Sequence, residues 1–176
     1  IRAAIEATAR WTRSNTNLGI VLLLAPLARA AARPGGDLRS RLGAVLDATT
    51  LEDAADAYAA IRLARPGGLG ASSAEDVAAA PTVTLREAMA LAADRDAVAR
   101  EYTNRFALTF EVGAPAVSGA RTRGLGWSDA TVECFLALLA ATPDTHIARK
   151  LGRAEASARA KAALELVGIP HLASLP

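Results

Sequence analysis

The sequence predicts an all-α protein that folds as a compact multi-helix bundle. Apolar residues recur at positions i, i+4, i+7 and i+8 in segments such as 38–46, whereas the alternation typical of strands is almost absent. Thr50 with Asp53 and Thr84 with Glu87 have the Thr-x-x-acid spacing of capping boxes, which mark separate helix starts. Abundant alanine lets helix axes approach closely, and this favours compact packing.

The order of the elements follows from this periodicity and from the breaks between periodic segments. Thr142–Pro143 is a third start signal, because proline suits the first helical position after an N-cap threonine. The stretch Ala64–Val77 is rich in glycine and is the longest predicted loop. The predicted helices cover residues 2–13, 16–32, 38–48, 51–64, 85–93, 96–110, 129–141, 143–151 and 154–167, with a further short helix near 115–122.

The apolar run Leu18–Leu27 is expected to lie at the centre of the core. It contains Pro26 and falls short of the roughly 20 apolar residues that a membrane span needs. A second apolar stripe lies on the helix at 129–141, where Cys134 is expected to be a buried thiol. The residues expected in the core are Ile20, Leu23, Leu24 and Leu27 in the first stripe and Val132, Phe135, Leu136 and Leu139 in the second.

The composition limits the classes of protein to which the chain can belong. A chain of 176 residues that is 52% hydrophobic and 22% charged can bury a real core, in one domain that spans residues 1–176. The net charge is only +2, and no run of basic residues interleaved with aromatics indicates a nucleic-acid surface. The single cysteine excludes an internal disulfide and fits a reducing cytoplasm. The sequence shows no targeting signal, and its histidines, cysteine and acids do not have the spacing of a zinc site. A homo-oligomer is compatible with the sequence.

A short polar stretch, Asn15–Gly19 (NTNLG), precedes the first apolar run. Ser14 or Asn15 fits an N-cap, which accounts for one of the polar side chains. The others could line a polar site at a helix end, where backbone N–H groups favour phosphate. A plain helix start and a phosphate site are therefore both open interpretations.

The glycine-rich loop Ala64–Val77 (ARPGGLGASSAEDV) could let the backbone approach a phosphate. Its Gly-Gly-x-Gly spacing follows a helix rather than a strand, which argues against a dinucleotide fingerprint. The alternative is a helix C-terminus near Pro66, with the glycines forming the turn. The phosphate interpretation predicts that residues 65–71 and 75–77 lie beside the helix start at Asn15.

The stretch Thr142–Gly152 (TPDTHIARKLG) places Asp144 in the first turn of a short helix and Arg149 and Lys150 near its end. Helix electrostatics alone favour an acid at the start of a helix and bases at its end. In the functional alternative, Asp144 holds Mg²⁺ or accepts a proton, and the two bases neutralise phosphate. His146 is expected at the surface or in a cap, so it adds nothing to this assignment.

Four stretches of the chain, in their order and spacing, resemble the triphosphoribosyl-dephospho-CoA synthase family, in a divergent branch. They are SNTNLGIVLLLAPL, AIRLARPGGLG, DVAAAPTVTLREAMALAADRD and TPDTHIARKLG, and the resemblance spans about residues 1–165. The better characterised synthases also have a Pro-Arg-Pro-Gly-type motif earlier in the chain. That motif is absent here, so an N-terminal segment of the family is expected to be missing from this chain.

Two family motifs can be matched residue by residue. Asn15, Thr16 and Gly19 match a motif that reads Asn-Thr-His-Lys/Arg-Gly, while Asn17 and Leu18 stand in place of its histidine and its base. The family's later Asp-Thr pair matches Asp144–Thr145.

The resemblance implies a cytoplasmic transferase of prosthetic-group biosynthesis. It moves the 5-triphosphoribosyl group of ATP to the 2′-hydroxyl of 3′-dephospho-CoA and releases adenine, with Mg²⁺ as the expected cofactor. Such a substitution passes through oxocarbenium character, so the triphosphate must be neutralised and the acceptor hydroxyl must lose its proton to a base. Asp144 and Asp76 are the candidate catalytic and metal-binding carboxylates. The candidate nucleotide-binding residues are Asn15, Thr16, Asn17, Gly19, Arg65, Gly67, Gly68, Thr145, Arg149 and Lys150.

Two alternatives remain at this point. A related ribosyl or phosphoribosyl transferase would differ only in its acceptor pocket. A non-catalytic helical interaction protein would need no site, so Asn15, Arg65, Asp76 and Asp144 would scatter over its surface. An enzyme requires that they converge on one cleft.

Overall fold

The computed structural model describes residues 1–67 and 74–167, and within these ranges it consists of ten α-helices and one π-helical turn, with no strand. The predicted all-α fold class is therefore confirmed. No helix in the described ranges is both long and apolar enough to cross a membrane. The helices are α1 (Arg2–Ala9), α2 (Leu18–Ala31), α3 (Leu38–Asp47), α4 (Leu51–Ala64), α5 (Leu85–Ala90), α6 (Ala97–Asn104), α7 (Ala114–Thr122), α8 (Trp127–Ala141), α9 (Thr145–Leu151) and α10 (Arg153–Val167), with the π-helical turn at Thr109–Gly113.

Both predicted capping boxes start a helix. At α4, the Asp53 N–H donates to Thr50 Oγ1 at 3.2 Å, and the Thr50 N–H donates to Asp53 Oδ2 at 2.9 Å. At α5, Thr84 and Glu87 make the same reciprocal pair. Each box satisfies two backbone donors that a helix start would otherwise leave without a partner. The local sequence therefore marks where these two helices begin.

The predicted helix over 96–110 is interrupted in the structure. α6 ends at Asn104, and the next two residues, Arg105 and Phe106, both have a φ of 57°. The left-handed backbone of Arg105 lets its N–H close the helix on the Glu101 carbonyl. The fully buried Phe106 shows that packing, which single-sequence periodicity does not report, favours this break.

The first of two compact units in the chain comprises Ile1–Arg105. In this unit α2 packs against α3, α4 and α6, while α1 and α5 both pack against α4. Leu42 and Leu46 of α3 are fully buried. The Tyr102 hydroxyl of α6 donates to the Leu22 carbonyl of α2 at 2.7 Å, so a buried hydrogen bond ties these two helices together.

The predicted core face of α2 is wrong in its orientation. Ile20 and Leu24 are each 57% exposed, and the fully buried positions instead follow an i, i+4 series. α2 is apolar around most of its circumference, so hydrophobicity does not select a face, and contacts with the neighbouring helices do. Leu23 and Leu27 are partly buried. The buried series is Leu18, Leu22, Pro26 and Ala30.

The second unit comprises Phe106–Pro176. In its described part α8 packs against α7, α10 and the π-helical turn, and α10 packs against α9. Leu136 and Ala137 form a buried cluster on α8, and α10 contributes the partly buried Leu164 to it. Glu133 is also buried on α8, where its carboxylate pairs with Arg123.

The predicted apolar stripe of α8 is only partly buried, so this prediction is wrong for some of its residues. Leu136 is buried as expected, whereas Val132 and Phe135 are 54% and 59% exposed. The cause is again packing, because the buried side of α8 includes Glu133, which a hydrophobicity pattern assigns to solvent. Cys134 is only partly buried, its Sγ donates to the Gly113 carbonyl at 3.4 Å, and burial raises the pKa of its thiol.

Candidate functional site

The polar stretch before α2 is held by its own hydrogen bonds. The predicted N-cap at Ser14 or Asn15 is wrong, because α2 begins at Leu18 and its N-cap is Asn17. Asn15 Oδ1 still accepts the Leu18 N–H at 3.1 Å, which satisfies one donor of the helix start. Asn17 Nδ2 donates to Thr8 Oγ1 at 2.8 Å and so ties the start of α2 to α1. Thr16 is exposed. The two carboxamides therefore have a structural role in the first unit.

Gly19 lies in the first turn of α2, beside α6. A Cβ added at Gly19 would lie 3.8 Å from a Val98 methyl group, which is ordinary van der Waals contact. The glycine is therefore not required by the packing of these two helices.

The end of α4 supports the helix-terminus interpretation of the glycine-rich loop. Arg65 has a φ of 47°, and its N–H donates to the Ile61 carbonyl at 3.0 Å. A left-handed residue is a usual way to end a helix, and here an arginine occupies this position, just before Pro66. The Arg65 side chain is exposed, and a Cβ at Gly67 would meet open space. Gly68 lies outside the described residues.

Asp76 lies in a tight turn after the loop. Its Oδ1 accepts the Ala78 N–H at 2.8 Å, and its carbonyl accepts the Ala79 N–H at 3.0 Å. A carboxylate held by its own turn has a defined direction relative to the backbone. The side chain is partly exposed.

The residue before Asp76 is part of a polar network that sequence reasoning missed. The Glu75 carboxylate accepts the Thr82 N–H at 3.1 Å and also the Thr82 hydroxyl, and these bonds lower the pKa of Glu75. The Tyr58 hydroxyl of α4 donates to Glu75 Oε2 at 3.1 Å and to its carbonyl at 3.0 Å. Burial, and then the bond with Glu75, raises the pKa of Tyr58 to about 12. No sequence pattern connects a helical tyrosine to a carboxylate 17 residues later.

Asp144 is the capping residue of α9. Its Oδ1 accepts the Ile147 N–H at 3.1 Å, and its carbonyl accepts the Ala148 N–H at 2.9 Å. The predicted N-cap at Thr142 is wrong, because Thr142 is extended and its N–H closes α8 on Leu138. The chain turns through Pro143 before the next helix begins.

The other predicted residues of this stretch lie on α9, directly after the capping residue. Thr145 opens the helix, and Arg149 and Lys150 lie in its last turn. Arg149 is partly buried and Lys150 is exposed, while the side chain of His146 lies outside the described part of the chain. Acid at the start and bases at the end agree with the helix dipole.

The predicted site residues are divided between the two compact units. Asn15–Gly19, Arg65–Gly67 and Asp76 belong to the first unit. Asp144 and the residues of α9 belong to the second.

The predicted metal-binding residues are carboxylates, which are ligands of the kind that Mg²⁺ prefers. The described residues contain no group of three or more histidine, cysteine or acidic side chains that could hold a metal by themselves. Mg²⁺ bound with a nucleotide does not need such a group, because it takes one or two carboxylates together with substrate phosphates and water. Asp76 and Asp144 each supply a hard oxygen donor of this kind, so either carboxylate fits Mg²⁺ that is brought by a nucleotide.

Two buried carboxylates were also missed by the sequence-based prediction. Glu101 of α6 and Glu133 of α8 are 4% and 7% exposed. Glu133 could have been noticed as a lone acid within the apolar stretch Val132–Leu139. Its partner, Arg123, can be identified only from the fold.

Comparison with known proteins identifies a family for this chain. The model of the ATP:dephospho-CoA triphosphoribosyl transferase family matches residues 1–174. No curated protein and no solved structure matches the chain. Because the match covers nearly the whole sequence, the chain belongs to the ATP:dephospho-CoA triphosphoribosyl transferase family and is an enzyme of the transferase class.

Proposed function

We propose that this protein transfers the 5-triphosphoribosyl group of ATP to the 2′-hydroxyl of 3′-dephospho-CoA and releases adenine. The observation that carries the proposal is the family match over residues 1–174, which covers both units of the chain. The Asp144–Thr145 pair agrees with the resemblance noted in the sequence.

The reaction exchanges one bond at the anomeric carbon of the ATP ribose for another. The bond from C1′ to the adenine nitrogen breaks, and the bond from C1′ to the acceptor oxygen forms. The acceptor hydroxyl gives its proton to a base, and adenine leaves after it gains a proton. Positive charge develops at C1′, so the enzyme must hold the triphosphate and the acceptor in register.

We assign the carboxylate roles to Asp144 and Asp76, which bind Mg²⁺ or remove the acceptor proton. Asp144 is the stronger candidate, because it matches the family's Asp-Thr pair and its Oδ1 accepts the Ile147 N–H at a helix start. Mg²⁺ would neutralise triphosphate charge when it is bound with the nucleotide. Carboxylates that hold such an ion share it with phosphate oxygens.

The remaining assignments concern the nucleotide. Asn15, Thr16, Asn17 and Gly19 orient sugar or phosphate oxygens, and Arg65 with Gly67 and Gly68 receives phosphate. Thr145, Arg149 and Lys150 act on the triphosphate from α9. Support comes from residue type, because guanidinium and ammonium groups are the usual partners of phosphate.

The test is a direct assay of the products. The purified protein is incubated with ATP, Mg²⁺ and 3′-dephospho-CoA, and free adenine is measured by chromatography. Mass spectrometry should show the acceptor heavier by one triphosphoribosyl group, and 2′-deoxy-3′-dephospho-CoA should give no adduct. Adenine release with a different acceptor in a panel of nucleotides and alcohols, and none with dephospho-CoA, would assign another acceptor. No adenine release with any acceptor would refute the proposal.

Location and assembly are further parts of the proposal. We place the enzyme in the cytoplasm, which fits a single free thiol at Cys134. A homo-oligomer is tested by light scattering of the purified protein, in which a mass equal to one chain would exclude it.

A further inference from the structure

Two side chains of α4 hold the segment Glu75–Val77. Tyr58 and Arg62 are one helical turn apart, so they lie on the same face of α4. Tyr58 donates its hydroxyl to the Glu75 carbonyl at 3.0 Å, and Arg62 donates to the Val77 carbonyl. The carbonyls on both sides of Asp76 are thus bound to one rigid helix.

Glu75 is held against its backbone preference. Its φ of 50° lies in the left-handed region, which costs conformational energy for a residue that carries a Cβ. The carboxylate offsets this cost through Thr82 on one side and the Tyr58 hydroxyl, at 3.1 Å, on the other. Because hydrogen bonds hold Glu75 in this strained conformation from two directions, the backbone direction at Asp76 is fixed.

Asp76 is therefore held from both sides and through its own side chain. Its flanking carbonyls are bound by α4, and its own Oδ1 accepts the Ala78 N–H at 2.8 Å. A loop carboxylate with this support keeps its position without a ligand, which lowers the ordering cost of binding one.

We propose that Tyr58, Arg62 and Glu75 are positioning residues of the transferase, which hold the Asp76 carboxylate in the geometry that receives the magnesium–triphosphate end of ATP. This inference rests on the proposed function, in which Asp76 meets Mg²⁺ and the nucleotide. The three residues act through Asp76 and do not touch the reacting atoms.

The two tyrosines of the chain provide a matched test. Tyr58→Phe removes a hydroxyl that binds a main-chain carbonyl of the segment next to Asp76. Tyr102→Phe removes a hydroxyl that binds the Leu22 carbonyl, between α6 and α2. Both variants lose a phenolic hydrogen bond to a main-chain carbonyl, and Tyr58→Phe also loses the bond to the Glu75 carboxylate. Tyr102 is at least as buried as Tyr58, so Tyr102→Phe controls for the loss of a buried phenolic hydroxyl.

The measurement is calorimetric binding of magnesium–ATP without acceptor, together with the melting temperature and the kinetics of adenine release. We expect Tyr58→Phe to weaken magnesium–ATP binding by about tenfold or more, because a displaced carboxylate loses its ligand geometry. It should also raise the Mg²⁺ concentration for half-maximal activity and leave the KM for dephospho-CoA within about twofold of wild type. Glu75→Gln, which keeps the side-chain size, should change the same quantities in the same direction.

The outcomes separate this inference from the proposed function. If Tyr102→Phe binds magnesium–ATP as tightly as wild type and Tyr58→Phe binds it more weakly, the positioning of Asp76 by Tyr58 is supported. Equal affinities in wild type, Tyr58→Phe and Glu75→Gln overturn positioning and leave the proposed function intact. Equal weakening by the two tyrosine variants, in step with their melting temperatures, assigns both hydroxyls to stability alone and also overturns it. A wild-type protein that neither binds magnesium–ATP nor releases adenine overturns the proposed function and the positioning inference together.

Discussion

Replacement of Asp144 by asparagine should separate activity from stability. Asp144 Oδ1 accepts the Ile147 N–H at 3.1 Å, and an asparagine Oδ1 can accept the same bond. Aspartate and asparagine are about equally good N-caps, so the cap survives. What is lost is the negative charge at the start of α9, which is worth about 0.3–1 kcal/mol at an exposed helix start.

The expected cost in unfolding free energy is therefore below about 1 kcal/mol, or a fall of about 2–4 °C in melting temperature for a chain of this size. Activity should fall much further, because a neutral amide is a poor Mg²⁺ ligand and a poor base. A hundredfold loss of kcat/KM corresponds to about 2.7 kcal/mol of transition-state stabilisation. The two effects are separated by enough to be told apart in one set of measurements.

The assay compares adenine release with the melting temperature in wild type and Asp144→Asn. The control is Asp37→Asn at the start of α3, where Asp37 Oδ1 accepts the Ser40 N–H at 2.9 Å in the same capping geometry. The control should keep wild-type turnover. Wild-type turnover in Asp144→Asn, with lowered stability, would show that Asp144 is only a helix cap and would refute its assignment to the chemistry.

Three further predictions concern other parts of the chain. Arg65→Ala should weaken ATP binding in calorimetry while the melting temperature stays near that of wild type, because the side chain is exposed; unchanged affinity would remove Arg65 from the site. The hydrogen bonds from Thr84 lower the pKa of Glu87, so its contribution to stability is present above its ordinary pKa of 4.5 and is lost as the pH falls through the lower folded-state value. Glu87→Gln should therefore flatten the dependence of urea unfolding on pH below 4.5, and an unchanged profile would contradict this role. Arg123→Met should lower the free energy of unfolding by about 1–3 kcal/mol, because it removes the guanidinium that pairs with the buried Glu133 carboxylate, and Arg123→Met with Glu133→Gln should recover part of that loss.

The helices could be predicted because their signals are local. The Thr50–Asp53 and Thr84–Glu87 boxes lie within one turn of the donors that they satisfy, so a few neighbouring residues decide each start. The same holds for Asp144, whose place near a helix start was predicted correctly even though Thr142 was wrongly taken as the cap.

Local signals fail where several arrangements satisfy them equally well. Residues 18–31 form a helix whichever side is buried. The neighbouring helices therefore decide that Leu22 is buried and Leu24 is exposed. The break at Arg105 and Phe106 is of the same kind, since the periodic sequence around it continues on both sides.

By itself, the sequence determined the all-α class, most helix bounds, the family and the residue types that suit a magnesium–nucleotide reaction, since each of these depends on residues close together in the chain or on motifs in order. Only the tertiary structure decided which faces are buried and how the polar residues are held. The attachment of Glu75 to Tyr58 joins groups 17 residues apart across a loop. No local propensity encodes such a bond, because its free energy depends on where the whole of α4 and the loop come to lie.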